Sequence, residues 1–166
     1  MSVPPAARVA ILTVSTSRAA GAGADESGEA LEAFARELGG EVIAREIVSD
    51  DQALIEERLR RYCDEDRCAL VLTTGGTGVA PRDVTPEATA AVLERPVPGI
   101  AEAMRLASRE HTKHWMLSRA TAGVRGRTLI VNFPGSPRSI GQTAAAIAGA
   151  LPHALALIAD APTEHA

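Results

Sequence analysis

Three short apolar runs constrain the architecture more than any other feature of the chain. Residues 8–15 carry Val9, Ala10, Ile11, Leu12 and Val14; residues 69–73 read ALVLT; residues 128–133 read TLIVNF. None alternates apolar with polar, as a strand with one wet face would. None approaches the roughly 18 apolar residues of a membrane span. Strands that are apolar on both faces belong inside a parallel sheet covered by helices on each side. The intervening stretches supply those helices. Residues 28–38 place Leu31, Phe34, Ala35 and Leu38 on one stripe, and Gly39 and Gly40 stop the helix. Residues 41–48 alternate and read as an outer strand. Asp50 is expected to cap the next helix, which carries Leu54, Ile55, Leu59 and Tyr62 on one side. Thr85-Pro86-Glu87 combines a cap, a first-turn proline and an acid at the positive dipole end. Pro96, Pro98 and Gly99 end that helix, and others are expected over residues 100–110, 137–150 and 151–159.

Strands alternating with helices give an α/β fold: a doubly wound, mainly parallel sheet with helices on both faces. One domain over residues 8–159 is expected, with a flexible lead at 1–7 and a flexible tail at 160–166. The chain has four aromatic residues, so Ala, Val and Leu must fill the core, and a base-stacking platform for single strands is disfavoured. The net charge of −4 comes without any basic run, so nucleic acid and anionic membrane are poor partners. Residues 1–10 lack the pattern of a signal peptide. Cys63 and Cys68 are too few for a disulfide scaffold and lack the further ligands of a zinc site, so both are expected to be reduced structural thiols, and the compartment cytoplasmic.

In doubly wound sheets, ligands bind beyond the C-terminal strand ends. Residues 15–28, 74–85 and 134–138 occupy that position. The middle loop opens with Thr74-Gly75-Gly76-Thr77-Gly78, whose glycines allow a tight bend and a convergence of backbone N–H groups on an anion. A plain flexible connector explains the same glycines. The turn has neither the lysine of a P-loop nor the spacing of a dinucleotide fingerprint, which disfavours an NAD module. Asp83 lies just beyond it. A carboxylate beside a phosphate site makes sense when a divalent cation joins them, and magnesium commonly bridges carboxylates and substrate phosphates. Asp83 could equally be a turn residue, Asp50 a cap, and Arg82 a solvated charge. Pro134-Gly135-Ser136 offers further donors, although Ser136 as a helix cap explains it as well. Glu102 sits in the first turn of a helix, where the dipole alone favours an acid. His111 and His114 lack a third ligand and read as surface residues. No nucleophile elbow is present, so acyl chemistry is disfavoured.

Together the segments VLTTGGTG, RDVTPEAT, PGIAEAMR, LSRATAGV and LIVNFPGSP resemble the molybdopterin adenylyltransferase family of the MogA/MoaB type, which includes the pterin-binding domain of gephyrin. The likeness runs from about Arg8 to about Ala150. It implies binding of molybdopterin and transfer of AMP from Mg-ATP to its terminal phosphate, with release of pyrophosphate. It implies a homo-oligomer, a trimer or a hexamer built as a dimer of trimers, and a downstream molybdate-insertion protein as recipient. It makes Asp50 and Asp83 the catalytic and magnesium-orienting residues. Thr74, Gly75, Gly76, Thr77 and Gly78 would cradle a phosphate. Ser17, Ser27, Gly28, Glu102, Ser118, Pro134, Gly135 and Ser136 would complete the binding surface. One departure concerns Ser17, which stands where the family often carries aspartate. Two other functions compete: a nucleotide-cleaving enzyme of the CinA type, which normally has a second domain, and a molybdopterin carrier without catalysis.

Overall fold

Val9 and Ile11 of the first apolar run face one layer of the core, while Ala10, Leu12 and Val14 face the other. This double burial recurs in the other two runs and organises the whole molecule. The computed structural model describes residues 7–160. Its strands are β1 Arg8–Val14, β2 Glu41–Val48, β3 Leu70–Thr74, β4 Arg95–Pro96, β5 Ala122–Arg125 and β6 Thr128–Phe133. They form one sheet in the order β2-β1-β3-β6-β5-β4. The pairs β1–β2, β1–β3 and β3–β6 are parallel, whereas β5 and β4 run antiparallel at one edge.

The helices are α1 Thr16–Ala19, α2 Glu26–Glu37, α3 Gln52–Arg60, α4 Thr85–Val92, α5 Pro98–Arg109, α6 Pro137–Ile147 and α7 Leu151–Ile158. Leu31, Met104, Ile140 and Leu155 bring α2, α5, α6 and α7 onto one face of the sheet. Ile55, Leu59, Ala88 and Val92 bring α3 and α4 onto the other. Each fully buried aliphatic side chain contributes about 1.5–3 kcal/mol of transfer free energy. Helices on both faces of a mainly parallel sheet are the expected fold class. Asn132, the one polar residue in its strand besides Thr128, is fully buried but satisfied: its side-chain NH2 donates to Thr73 and Thr89 hydroxyls, each at 3.0 Å. These bonds tie β6 to β3 and α4.

Several boundaries differ from expectation. Asp51, not Asp50, caps α3, its carboxylate accepting from the Leu54 amide at 2.9 Å. Thr85 is the first residue of α4 rather than its cap, and its hydroxyl instead donates to the Gly75 carbonyl at 2.9 Å. α4 stops at Val92, and Pro98 begins α5 instead of ending its predecessor. The edge strands β4 and β5 and the single turn α1 were not expected. The anticipated lead and tail fall outside the described residues, except that Ala7 is buried and its carbonyl accepts from Glu41 at 2.9 Å, and Asp160 is exposed. Gly39, at φ +85°, and Gly40 end α2 as expected, through N–H bonds of 2.9 Å to Arg36 and Ala35 carbonyls. Both cysteines are free; burial pushes the Cys63 thiol up to about 11 and the Cys68 thiol to about 12.

Candidate functional site

From β1 the chain crosses to β2 on one side, and it later returns to place β3 on the other side of β1. The crevice between the C-terminal ends of β1 and β3 is therefore the topological switch point of the sheet, where ligands bind. The glycine turn lies there. Gly75 and Gly76 take φ +94° and +66°. A Cβ on Gly75 would stand 2.3 Å from the Val14 carbonyl oxygen, and one on Gly76 would stand 2.3 Å from the Thr85 hydroxyl. Only glycine fits these close approaches, to backbone at Gly75 and to the Thr85 side chain at Gly76.

The loop after β6 packs against the same turn. Thr74 Oγ1 donates to the Pro134 carbonyl at 2.7 Å, the Gly75 amide to the Phe133 carbonyl at 3.3 Å, and Ser27 Oγ to the Gly135 carbonyl at 2.5 Å. The three loops thus form one surface. Five of its backbone amides, those of Gly76, Thr77, Gly78, Gly135 and Ser136, have no acceptor among the described residues. Unpaired amides at a strand end and at a helix start are suited to anions. Ser136 also caps α6, its hydroxyl accepting from the Ser139 amide at 3.4 Å.

Each expected aspartate has one oxygen engaged. Asp50 Oδ2 accepts from the Thr16 amide at 2.9 Å and the Thr16 hydroxyl at 2.7 Å, pinning the loop after β1 to the end of β2. Asp83 Oδ2 accepts from the Ala80 amide at 2.9 Å and would lie 2.8 Å from a Cβ on Gly78. The second oxygen of each makes no hydrogen bond to the described residues. No group of three or more metal-ligating side chains occurs among those residues. A cation here would need ligands from the substrate as well.

Sequence reasoning missed the residue that holds the glycine loop in place. Arg119 donates from Nε to the Gly78 carbonyl at 2.7 Å and from Nη2 to the Asp83 carbonyl at 2.6 Å. Its Nη1 pairs with Glu87, and its own amide donates to Thr77 at 2.8 Å. The guanidinium holds the Glu87 carboxyl below its ordinary value by direct hydrogen bonding. One side chain thus fastens the turn, Asp83 and the first turn of α4 together. Its only sequence signal is its place in LSRATAGV, directly after Ser118.

The other expected residues separate into two groups. Ser118 and Pro134 line a cavity of ≈ 150 Å³ between α5, the turn that follows it, and α6; Trp115 and His114 line it too. His114 is exposed, as expected, and also lines this cavity beside the candidate site. Gly28 is buried, its amide accepted by Asp25 Oδ1 at 3.0 Å, and Asp25 in turn accepts from Thr13. Its role here is to let the α2 cap close. Ser17 is exposed on α1 with its hydroxyl 3.3 Å from that of Ser15, and Glu102 is exposed on α5 outside the cavity.

A family described as a probable molybdopterin binding domain matches residues 10–153. This chain belongs to the MogA/MoaB family. The curated molybdopterin adenylyltransferase of Helicobacter pylori strain J99 is 41% identical over 152 residues, covering 90% of this chain and 86% of that protein. The crystal structure of the molybdopterin biosynthesis enzyme MoaB from Thermus thermophilus superposes with a TM-score of 0.88 at 46% identity, covering 95% of this chain and 99% of that one. A CinA protein of unknown function from Thermoplasma acidophilum, 17% identical with a TM-score of 0.68, shares the fold alone. Membership puts this MogA/MoaB-type chain in an enzyme family of molybdenum cofactor biosynthesis.

Proposed function

We propose that this protein binds molybdopterin and Mg-ATP in the switch-point crevice and transfers AMP to the pterin's terminal phosphate. The reading extends to a cytoplasmic homotrimer, or a dimer of trimers, whose product passes to a molybdate-insertion protein. One observation carries the chemistry. Five unpaired amides and two half-engaged carboxylates sit in loops that meet at one sheet edge. Amides alone suit a simple anion. Carboxylates beside them repel phosphate unless a cation intervenes, and that combination suits a nucleotide triphosphate with magnesium.

In this reading a terminal phosphate oxygen of the pterin attacks the α-phosphorus of ATP. A P–O bond forms there as the bond from that phosphorus to the β-bridging oxygen breaks, and pyrophosphate departs. The nucleophile is already ionised at neutral pH, so no general base is required, and no histidine is needed for one. Bound magnesium would neutralise charge on the triphosphate and on the departing pyrophosphate. The chain's residues position. The amides of Gly76, Thr77 and Gly78 hold one phosphate, and those of Gly135 and Ser136 hold a second. Asp50, held by Thr16 beyond β2, and Asp83, held by the Ala80 amide beyond the glycine turn, each keep one oxygen without a partner among the described residues, to orient magnesium and the triphosphate. Positioning and electrostatic stabilisation supply most of the rate in such transfers.

The test is to incubate the protein with molybdopterin and Mg-ATP and follow adenylyl-molybdopterin by mass. Product is expected. Its absence, with an active control enzyme, overturns the transferase reading and leaves a molybdopterin carrier. Asp83→Asn is expected to abolish turnover while pterin affinity stays within a few-fold; normal turnover would remove Asp83 from its assigned role.

A further inference from the structure

The chain contains only four aromatic residues, and three of them build the core. Tyr62 and Phe133 are fully buried, and Phe34 is nearly so. Phe34 and Phe133 meet edge to face at 6.0 Å. Trp115 alone is left half-buried, with no aromatic neighbour among the described residues. Its indole N–H is not sealed from solvent as an unpaired group. An aromatic side chain can bury about 150–250 Å², so a tryptophan left out of the core forgoes a large contribution to folding. Here it stands instead on the wall of the ≈ 150 Å³ cavity beside the crevice.

The cavity's size and lining define what it accepts. Pockets for drug-sized ligands run to about 300–1,000 Å³. This one has room for a single flat ring system, with the rest of the ligand outside. Met104, Ala120 and Pro134 give it apolar walls. Arg105 lines it with a guanidinium anchored through Nη1 to the Ala120 carbonyl at 2.9 Å, which leaves further donors for acceptors on a ring edge. The position is equally restrictive. Pro134 directly precedes Gly135 and Ser136, whose amides are unpaired, and Ser139 of the cavity lies in the first turn of α6. A ring in the cavity can thus be joined to a phosphate at those amides.

We propose that Trp115 is the stacking wall for the fused, nitrogen-rich bicycle of a phosphate-bearing ligand of this protein, and so helps set substrate specificity. The inference rests on the function proposed above, whose two substrates, a pterin and an adenine nucleotide, both carry such a ring. Stacking on an aromatic face is sequence-tolerant for nitrogen heterocycles and typically changes affinity by about tenfold or more. Trp115 is a binding and positioning residue in this scheme and touches no reacting atom.

The experiment uses the full chain, with molybdopterin and Mg-ATP varied separately. Trp115→Ala is expected to raise KM for one of the two about tenfold or more, with kcat within about twofold, and Trp115→Phe to restore most of the loss. The substrate whose KM moves identifies the ring. Unmoved KM values for both, or a fall in kcat alone, would overturn the proposal. A second readout needs no turnover. Trp115 is the only tryptophan, so wild-type emission reports this cavity directly. Bound molybdopterin or Mg-ATP is expected to shield it from iodide quenching. Binding seen by calorimetry with no shielding by either ligand would also overturn it. Shielding without any adenylyl product would keep this inference and defeat the transferase reading.

Discussion

Arg119 shows how much a single side chain does at this sheet edge. Its planar fork reaches two carbonyls and one carboxylate that belong to three successive parts of the chain: the glycine turn, the loop at Asp83, and α4. A lysine carries the same charge but only a compact ammonium, which cannot satisfy three acceptors in fixed directions. Arg119→Lys is therefore expected to lower kcat/KM by about tenfold or more, because a small displacement of positioning groups is costly in transfer reactions. The strands beneath do not depend on it, so the melting temperature should fall by no more than about 2–4 °C. Steady-state kinetics alongside a thermal melt check both halves. Full activity in the variant would mean that the loop holds its shape without the fork. The same scale explains the misplaced cap. Asp50 and Asp51 are chemically equivalent in sequence, and only the backbone decides which precedes the first helical residue. Asp51 does, and Asp50 is consequently left to grip Thr16.

Among the elements, α3 and the π-helical turn Arg61–Glu65 dock on the edge strand β2 through a cluster of polar contacts. Glu46 of β2 accepts from Tyr62 Oη at 2.7 Å and from Arg58 Nε at 3.1 Å, and it pairs with Arg61. Burial pushes its carboxyl up, but the tyrosine hydroxyl and the two guanidinium groups outweigh this and hold it below its ordinary value. A depressed carboxyl adds stability above the unfolded-state value, near 4.3, and loses it as pH falls through the lower folded value. Glu46→Gln is expected to cost about 1–2 kcal/mol at pH 7. The difference from wild type should shrink below about pH 4. Urea titrations at the two pH values test it, and an equal penalty at both would remove the charge from the explanation. The central elements were legible in the sequence because apolar runs buried on both faces have few alternatives, and the run 128–133 became β6 without change. β4 and β5 were not legible. They are two and four residues long, and Gly123 admits the Arg95 carbonyl, to which an added Cβ would come within 2.6 Å. That close approach is a property of the folded pair and leaves no periodic signal. The glycine turn was legible as a bend, but its bonds to Pro134 and Phe133 come from residues some sixty positions away.

For the whole molecule, folding leaves several large apolar side chains outside. Val79 and Met116 are each 63% exposed, and Leu106, Leu157 and Leu117 are about half exposed. Val79 belongs to the loop that Arg119 fastens, and Met116 and Leu117 lie just before Arg119 in the chain, whose amide donates to the Thr77 carbonyl at 2.8 Å. Isolated exposed leucines are ordinary on monomers, whereas a group of large apolar residues at one end marks an interaction surface. Homo-oligomers of closed symmetry commonly cover such a surface, most often as two-fold dimers. The exposed residues support self-association, and the proposed number of three rests on the family resemblance alone. Sedimentation equilibrium at micromolar concentration is expected to give three times the 17.3 kDa of one chain, or six times if trimers pair. Changing Met116 and Leu117 together to lysine should lower the assembled fraction if that end is the seam, because two buried cations would have to be desolvated at each contact. A wild-type protein that sediments as a monomer at every concentration would reject the assembly. It would also leave the crevice to be completed by this chain's own loops.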